Sequence, residues 1–261
     1  MTFSDTHCHV YVKQFDQDQK ETILRANNVN VDRFFLPNID SKYIPRLQKT
    51  TNQFPNKMYP MMGLHPCSVK ENYLEELNLI EQELFNGQQL NYVGVGEIGL
   101  DLYWDKIYLE QQKEAFKIQV NWALKLDLPI IIHVRDAFDE IFDLMDSIYN
   151  PKMKGIFHCF TGNELQADKI AEYENFKMGI GGVLTFKNSG LSNVLKEVPL
   201  NKMVLETDSP YLAPHPYRGK RNEPSYLMLV AEKLAELKNV SLEELSEITE
   251  QNTNEVFSLR N

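Results

Sequence analysis

Two histidines near the amino terminus are separated by one residue. His7 and His9 lie in a strand-like segment that begins at Phe3, and alternate residues of a β-strand point to the same face. Both imidazoles can therefore chelate one divalent cation; the alternative is a pair of hydrogen-bonded core histidines. Cys8 points the other way and, like Cys159, is interpreted as a small buried side chain, with a thiolate ligand as the alternative.

Four more ligand-type residues follow apolar runs later in the chain: Glu97, His133, His158 and Asp208. A carboxylate such as Glu97, set between glycines, is costly to bury unless it is paired or bound to metal. The alternatives are an ion pair of Glu97 with Arg135, core histidines, and a turn residue at Asp208. Four imidazoles and two carboxylates together predict a centre for two divalent cations. Its predicted ligands are His7, His9, Glu97, His133, His158 and Asp208.

Two further acidic residues share strand faces with these ligands. Asp5 extends the face of His7 and His9, so it is expected either to orient an imidazole by a hydrogen bond or to cap the strand end. Glu206 shares a face with Asp208 and is a weaker candidate for a role inside the site or for a buried pair.

The elements that must position these residues are eight apolar, β-branched runs separated by helix-like segments. Strands are predicted over Phe3–Val10, Arg33–Pro37, Met58–Leu64, Tyr92–Ile98, Pro129–Val134, Gly155–Phe160, Lys177–Leu184 and Met203–Thr207. The clearest helices are predicted over Asn72–Phe85, Lys106–Leu126, Ala137–Tyr149, Glu164–Tyr173 and Pro224–Leu237, and a last one begins at Ser241, which has capping-box spacing to Glu244.

Regular alternation of strand and helix predicts parallel strands with crossover helices. Eight units predict a single-domain α/β protein, a (β/α)₈ TIM barrel over residues 1–261, with an open doubly wound sheet as the alternative. The ligand-type residues end predicted strands, and the carboxyl ends of barrel strands converge on the active site. No Gly-x-Gly-x-x-Gly motif opens a helix after the first strand, which disfavours dinucleotide binding.

Charge and composition limit the function classes. The 261 residues carry a formal net charge of −10, which argues against non-specific coating of nucleic acid but leaves a phosphodiester substrate open, because bound cations can dominate a local field. No apolar run approaches the ~20 residues of a membrane span, and no signal peptide is expected. Three cysteines are too few for a disulfide framework, so a cytoplasmic protein is predicted.

One basic cluster and one aromatic pair stand out. Arg218, Lys220 and Arg221 follow the eighth strand, where barrels often bind phosphate; the alternative is a solvated loop. Tyr103 and Trp104 follow the fourth strand and are expected to pack in the core, with stacking on a nucleobase as the alternative.

The motifs together resemble the TatD family of metal-dependent deoxyribonucleases, within the amidohydrolase-like barrels. They extend over nearly the whole chain and, in this order, are highly specific. The matching stretches are Asp5–His9, Gly63–Pro66, Gly96–Asp101, Ile132–Arg135, His158–Gly162, Glu206–Pro210 and Arg218–Pro224.

The resemblance implies hydrolysis of phosphodiester bonds in DNA by a water that two metal ions activate. It implies that His7 and His9 hold one ion with Glu97 and Asp208, and that Glu97 bridges to a second ion on His133 and His158. Catalytic roles fall to Asp208, which takes the proton of the attacking water, and to the bridging Glu97. His65 is implied near the scissile phosphate, and Arg218 and Arg221 are the expected phosphate-binding residues.

The expected ions are two of Mg²⁺, Mn²⁺ or Zn²⁺, and the expected partner is a DNA strand, single-stranded or near an end, degraded exonucleolytically by a monomer. The alternative function is hydrolysis of a small amide, ester or lactone on the same barrel. That alternative lacks a lysine for a carbamylated bridge, because Glu97 takes the position. A non-catalytic binding module is disfavoured by the complete ligand set.

Overall fold

The computed structural model describes residues 1–87 and 90–259. Eight strands lie within these ranges: β1 Phe3–Asp5, β2 Val31–Leu36, β3 Met58–Pro60, β4 Val95–Asp101, β5 Ile130–Arg135, β6 Gly155–Phe157, β7 Phe176–Ile180 and β8 Met203–Leu205. The α-helices of the same ranges are α1 Gln19–Asn27, α2 Ile44–Gln53, α3 Tyr73–Asn86, α4 Leu109–Leu126, α5 Phe138–Ile148, α6 Glu164–Glu172, α7 Leu191–Glu197, α8 Leu227–Lys238 and α9 Leu242–Phe257.

All neighbouring strands are parallel and pair in chain order, β1 to β3 in one sheet and β4 to β8 in another. Backbone hydrogen bonds join the two sheets at both edges. Val93 N donates to Pro60 O at 2.9 Å on one side, and Thr6 N donates to Leu205 O at 3.0 Å on the other. The eight strands therefore close into a ring, which confirms the predicted barrel.

The strand ends differ from the prediction at two places that matter for the site. β1 ends at Asp5 instead of Val10, because the following residues leave the regular ladder and make isolated bonds to the two flanking chain segments: Cys8 N donates to Phe35 O at 3.0 Å and His9 N to Ser209 O at 2.7 Å. β4 runs to Asp101, and its register shifts between Val95 and Ile98. Glu97 consequently lies inside a strand and not at its end.

The other strand ends are also shorter or shifted, since the predicted runs included extended residues outside the ladders. All six predicted helices are present with bounds that differ by a few residues, and α1, α2 and α7 join them. Ser241 caps α9 as predicted, because its hydroxyl accepts a hydrogen bond from Glu244 N at 3.1 Å. Asn163 and Gln166 form a complete capping box at α6.

The barrel interior below the candidate site is apolar. Buried side chains from β2, β5, β6 and β8 meet there and pack against the end of α9. Phe35 stacks on Phe257 with ring centroids 4.1 Å apart, so α9 seals this part of the interior from water. Among the described helices, none combines the length and the apolar character that crossing a membrane requires.

Candidate metal centre

Four imidazoles converge on the two oxygens of Glu97. Oε1 lies 2.7 Å from His133 Nδ1 and 2.8 Å from His158 Nε2. Oε2 lies 3.2 Å from His7 Nε2 and 3.5 Å from His9 Nε2. Glu97 thus stands between two histidine pairs, one facing each carboxylate oxygen, which is the placement expected of a bridging carboxylate.

Asp208 completes the half of the cluster that contains His7 and His9. Its Oδ1 lies 3.7 Å from His7 Nε2 and 3.6 Å from His9 Nε2. The residue adopts a left-handed conformation with φ of 55°, which is uncommon outside glycine and recurs at functional sites. The sequence left two interpretations of Asp208, a turn residue or a carboxylate of the metal site. The structure shows that it lies in a turn and also faces the histidine cluster.

Hydrogen bonds assign the tautomers of two ligand histidines. The Tyr11 hydroxyl donates to Pro37 O, so its oxygen accepts from His9 Nδ1 at 3.1 Å. Asp101 Oδ2 accepts from His133 Nε2 at 2.9 Å. Both assignments leave the ring nitrogen that faces Glu97 with a lone pair, as metal coordination requires.

Glu206 lies beside His158 without a hydrogen bond to its Nδ1. Its Oε1 lies 3.5 Å from His158 Nδ1 and accepts a hydrogen bond from Cys159 N at 2.5 Å. A Cβ on Gly179 would lie 2.0 Å from Glu206 Oε2, so only glycine leaves room for this buried carboxylate. The predicted inner role of Glu206 is thus a contact with a ligand histidine.

The donor set fits a pair of cations. His133 Nδ1 and the Glu97 oxygen face each other at 2.7 Å, and a positive charge, either a proton on the ring or a metal cation, must lie between or beside them. Imidazoles with carboxylates suit borderline divalent metals.

Three overlapping groups of three ligand atoms lie within 4.8 Å of one another: His7 with Glu97 and His158, His7 with His9 and Asp208, and His65 with Glu97 and His133. No cysteine belongs to any such group in the described part of the chain. Cys8 is completely buried within the apolar core. Cys8 is therefore a small buried side chain, as the sequence favoured, whereas Cys159 is only half-buried and lines the cavity over the cluster.

His65 differs from the other histidines in its tautomer. Its Nδ1 accepts a hydrogen bond from Cys67 N at 2.9 Å, so the proton of the neutral ring resides on Nε2, which lies 3.2 Å from Glu97 Oε1. A protonated Nε2 is a hydrogen-bond donor and not a ligand. This is the placement expected of a substrate-side residue.

Asp5 holds the backbone and not an imidazole. Its carboxylate accepts hydrogen bonds from Thr207 N at 2.9 Å, Thr207 Oγ1 at 2.5 Å and His7 N at 3.4 Å. Burial raises its pKa to about 8 even though Thr207 opposes the shift. Asp5 therefore ties the segment after β1 to the end of β8, which is the strand-end role.

A cavity of about 880 Å³ opens over the cluster. Its lining includes three cations and three large aromatic or apolar rings, namely Arg135, Arg218, Lys220, Trp104, Phe186 and Tyr211. Arg135 does not pair with Glu97, because its guanidinium carbon lies 3.5 Å from the Tyr103 ring centroid. Tyr103 and Trp104 are 51% and 73% exposed, so the expectation of core packing was wrong.

The structure does not bring Arg221 into this cavity. Its guanidinium donates to both carboxylate oxygens of Asp18 at 2.7 Å and to Gln14 O at 2.8 Å, and it lies over the Phe15 ring at 4.5 Å. The predicted substrate contact of Arg221 is corrected accordingly. Asp18, at the start of α1, pairs with the Arg221 guanidinium. Arg218, three residues before Arg221, faces the cavity instead.

Tyr11 and Asp101 are functional residues that sequence reasoning missed. The alternation of side chains along a strand could have indicated both residues. Tyr11 continues the alternate positions of His7 and His9, and Asp101 lies at an even spacing from Glu97. Tyr11 contacts His9, and Asp101 contacts His133 of the neighbouring strand.

Comparisons with known proteins agree with this geometry. The sequence model described as TatD related DNase matches residues 4–258. The Bacillus subtilis protein YabD, an uncharacterized metal-dependent hydrolase, is 39% identical over 256 residues, which are 98% of each chain. The crystal structure of YjjV, a TatD homologue from Escherichia coli, superposes with a TM-score of 0.91 at 28% identity and covers 99% of this chain and 98% of its own.

A TatD family hydrolase from Entamoeba histolytica superposes with a TM-score of 0.81. Its identity is 23%, and the match covers 98% of both chains. At that identity the likeness concerns the fold alone.

Proposed function

Because the chain belongs to the TatD-related DNase family of metal-dependent hydrolases, we propose that it hydrolyses phosphodiester bonds in DNA with two divalent cations, Mg²⁺, Mn²⁺ or Zn²⁺. One observation carries the proposal. A carboxylate flanked by two histidine pairs lies at the floor of a cavity whose lining includes Arg135, Arg218 and Lys220. A centre that binds cations, beneath a cationic wall, suits an anionic ester.

His7, His9 and Asp208 would hold one ion with Glu97 Oε2, and His133 and His158 would hold the other with Oε1. Bound divalent ions lower the pKa of water to ~7 and neutralise charge on the attacking and leaving oxygens of a phosphodiester. Glu97 keeps both halves at a fixed separation, because its two oxygens face different histidine pairs.

Asp208 is the proposed proton acceptor. Its side chain is 14% exposed at the cavity floor, so water can reach it. An ionised carboxylate there accepts the proton as the water oxygen attacks phosphorus. The phosphorus–oxygen bond to the leaving nucleoside then breaks, and the same proton is available for the leaving oxygen.

His65 is the proposed donor to a phosphate oxygen. Its Nε2 carries the proton and points to the centre. Arg218 rests on the Phe186 ring at 4.1 Å, and no salt bridge involves it among the described residues. Its charge is therefore available for phosphate.

Digestion of end-labelled oligonucleotides, single-stranded and duplex, tests the proposal. The chain is stripped with EDTA, filtered, and assayed with Mg²⁺, Mn²⁺ and Zn²⁺ beside a panel of small amides, esters and lactones. We expect a ladder of terminal losses that requires metal and favours single strands. Turnover of a small amide or lactone without oligonucleotide cleavage would contradict the proposal and assign the centre to the alternative reaction.

A further inference from the structure

Trp104 and Arg135 line one wall of the cavity, and Tyr103 contacts both of them in a preassembled stack. The Arg135 guanidinium lies over the Tyr103 ring at 3.5 Å, and Tyr103 meets Trp104 edge to face with centroids 4.9 Å apart. Such contacts stabilise aromatic and cationic groups where they are exposed. We name this set, Tyr103, Trp104 and Arg135, the aromatic platform.

The aromatic platform is attached to the metal centre through one carboxylate. Asp101 Oδ2 accepts from His133 Nε2 at 2.9 Å, while Asp101 Oδ1 accepts from Tyr103 N at 3.1 Å. The buried side-chain amide of Gln112 makes two hydrogen bonds to the Asp101 backbone. Its oxygen accepts from Asp101 N at 2.9 Å, and its nitrogen donates to Asp101 O at 3.2 Å. The position of the aromatic platform relative to Glu97 is therefore fixed by a short, rigid path.

The exposure of the platform has no structural explanation in the fold. Trp104 is 73% exposed and lines the cavity, and leaving so large an apolar ring in water forgoes the stabilisation that its burial would give. Arg135 makes no ion pair within the described residues, so its charge is not consumed by a neighbouring carboxylate. A ring face and a free cation side by side suit a ligand with an aromatic base and a phosphate.

We propose that the aromatic platform is a nucleobase-binding subsite, in which Trp104 stacks on a base while Arg135 binds an adjoining phosphate. The subsite rests on the proposed function and makes it more specific. A base can reach Trp104 only if it is not stacked and paired within a duplex, so the subsite selects unpaired strands or frayed ends. The cavity of about 880 Å³ has the size of a small-molecule pocket and cannot contain a duplex.

Fluorescence gives a binding test that does not depend on turnover. The chain has two tryptophans, and Trp122 is 3% exposed within α4, so quenching by an added strand reports on Trp104. The titration uses metal-loaded Asp208→Asn protein with a tetrathymidylate, and with versions in which each base in turn is replaced by an abasic sugar. We expect the intact strand to quench, and one abasic position to weaken binding by roughly 5- to 150-fold, the range that one stacked base carries.

Substitutions in the same background locate the effect. Trp104→Ala and Trp104→Phe lack the fluorescent reporter, so binding by these variants and by the parent is measured from the anisotropy of a fluorescein-labelled tetrathymidylate. Trp104→Ala should weaken binding of the intact strand by the same factor and have no effect on the strand that lacks the critical base. Trp104→Phe should recover part of the loss. Ile107→Ala is the matched control, since Ile107 is 76% exposed in the same loop but does not line the cavity, and it should bind as the parent does. Equal weakening of every strand by Trp104→Ala, or none, would overturn the subsite.

Cleavage assays on otherwise native protein separate the two proposals. Trp104→Ala should raise the KM for single strands, whereas Ile107→Ala, outside the cavity lining, should leave that KM unchanged. Oligonucleotide cleavage that is indifferent to Trp104 would remove the subsite and leave the nuclease. Base-dependent quenching without cleavage in any metal would keep the subsite and remove the nuclease.

Discussion

Glu97 and Asp208 are both carboxylates that lie near histidines, yet their different surroundings indicate different roles. Both oxygens of Glu97 face imidazole nitrogens within 3.5 Å. Asp208 presents one oxygen to His7 and His9 from 3.6 to 3.7 Å and lines the open cavity. Glu97 is thus placed to hold cations, and Asp208 to meet water.

Neutralising each carboxylate should separate these roles. Glu97→Gln is expected to lose bound metal, because one oxygen becomes an amide that cannot serve as an anionic bridge. Asp208→Asn should retain most metal but lose turnover by roughly 10²–10⁴-fold, the usual contribution of a general base. Metal analysis beside kcat measures both. Full activity in Asp208→Asn would place the proton acceptor elsewhere.

Asp101 is expected to control metal affinity through His133. Asp101→Ala removes the acceptor that orients the ring and should weaken metal binding about 10- to 100-fold, as the loss of such outer partners does. Chelator competition measures the change. Asp105→Ala is the control, because Asp105 accepts from Ile107 N in the same loop at 3.1 Å. Equal affinities of the two variants would show that the ring needs no such support.

At the scale of elements, the loop after β8 assigns opposite tasks to two arginines. Arg218 faces the cavity, whereas Arg221 joins this loop to α1 through Asp18. Arg218→Ala should flatten the salt dependence of single-strand binding by ~0.7 in slope for each phosphate that the variant no longer binds. Arg221→Ala should leave that slope unchanged. A flatter salt dependence in Arg221→Ala and an unchanged one in Arg218→Ala would show that Arg221 contacts the substrate.

Arg221→Ala should instead lower the free energy of unfolding, by about 1 kcal/mol or less because the pair is partly exposed. Hydrogen bonds from Arg221, and then from Arg25, lower the pKa of Asp18 despite burial. A lowered pKa in the folded state means that this stabilisation is present above the ordinary aspartate pKa of about 4 and is lost as the pH falls through the lowered value. Urea denaturation at neutral and acidic pH measures the difference.

The close approach of β4 and β5 depends on Gly99. Its φ is 146°, and a Cβ there would lie 2.0 Å from His133 O. Gly190 also has a positive φ, 72°, but meets nothing within 4 Å. Gly190→Ala should therefore cost about 1 kcal/mol of unfolding free energy, and Gly99→Ala a further ~1–3 kcal/mol from overpacking. Equal urea midpoints would show that the strands can separate freely.

The sequence predicted the elements better than their ends. Periodicity and the order of strands and helices determine the barrel, because parallel strands need crossovers and closure follows from eight of them. The end of β1 depends on bonds from Cys8 to Phe35 and from His9 to Ser209, partners far away in the chain. Local pattern could not place it. Local pattern also could not predict the partner of Arg221, since Asp18 is 203 positions away in the chain.

The whole molecule places a cationic lining on an acidic body. The formal net charge is −10, yet Arg135, Arg218 and Lys220 line the cavity over the candidate centre. Repulsion from the remaining surface opposes binding along a duplex. The cavity also contains Glu97, Asp101 and Asp208, so its local field would favour a few phosphates once bound cations offset these carboxylates. The charge distribution of the molecule therefore agrees with a substrate that enters as a short strand.

The most direct test of the proposed two-cation centre is anomalous diffraction from crystals soaked with Mn²⁺. We expect two peaks ~3.5–4 Å apart, one within bonding distance of His7 and His9, the other within bonding distance of His133 and His158, with Glu97 bonded to both. Asp208 should contact the first peak. A single peak, or two peaks that Glu97 does not bridge, would contradict the proposed centre.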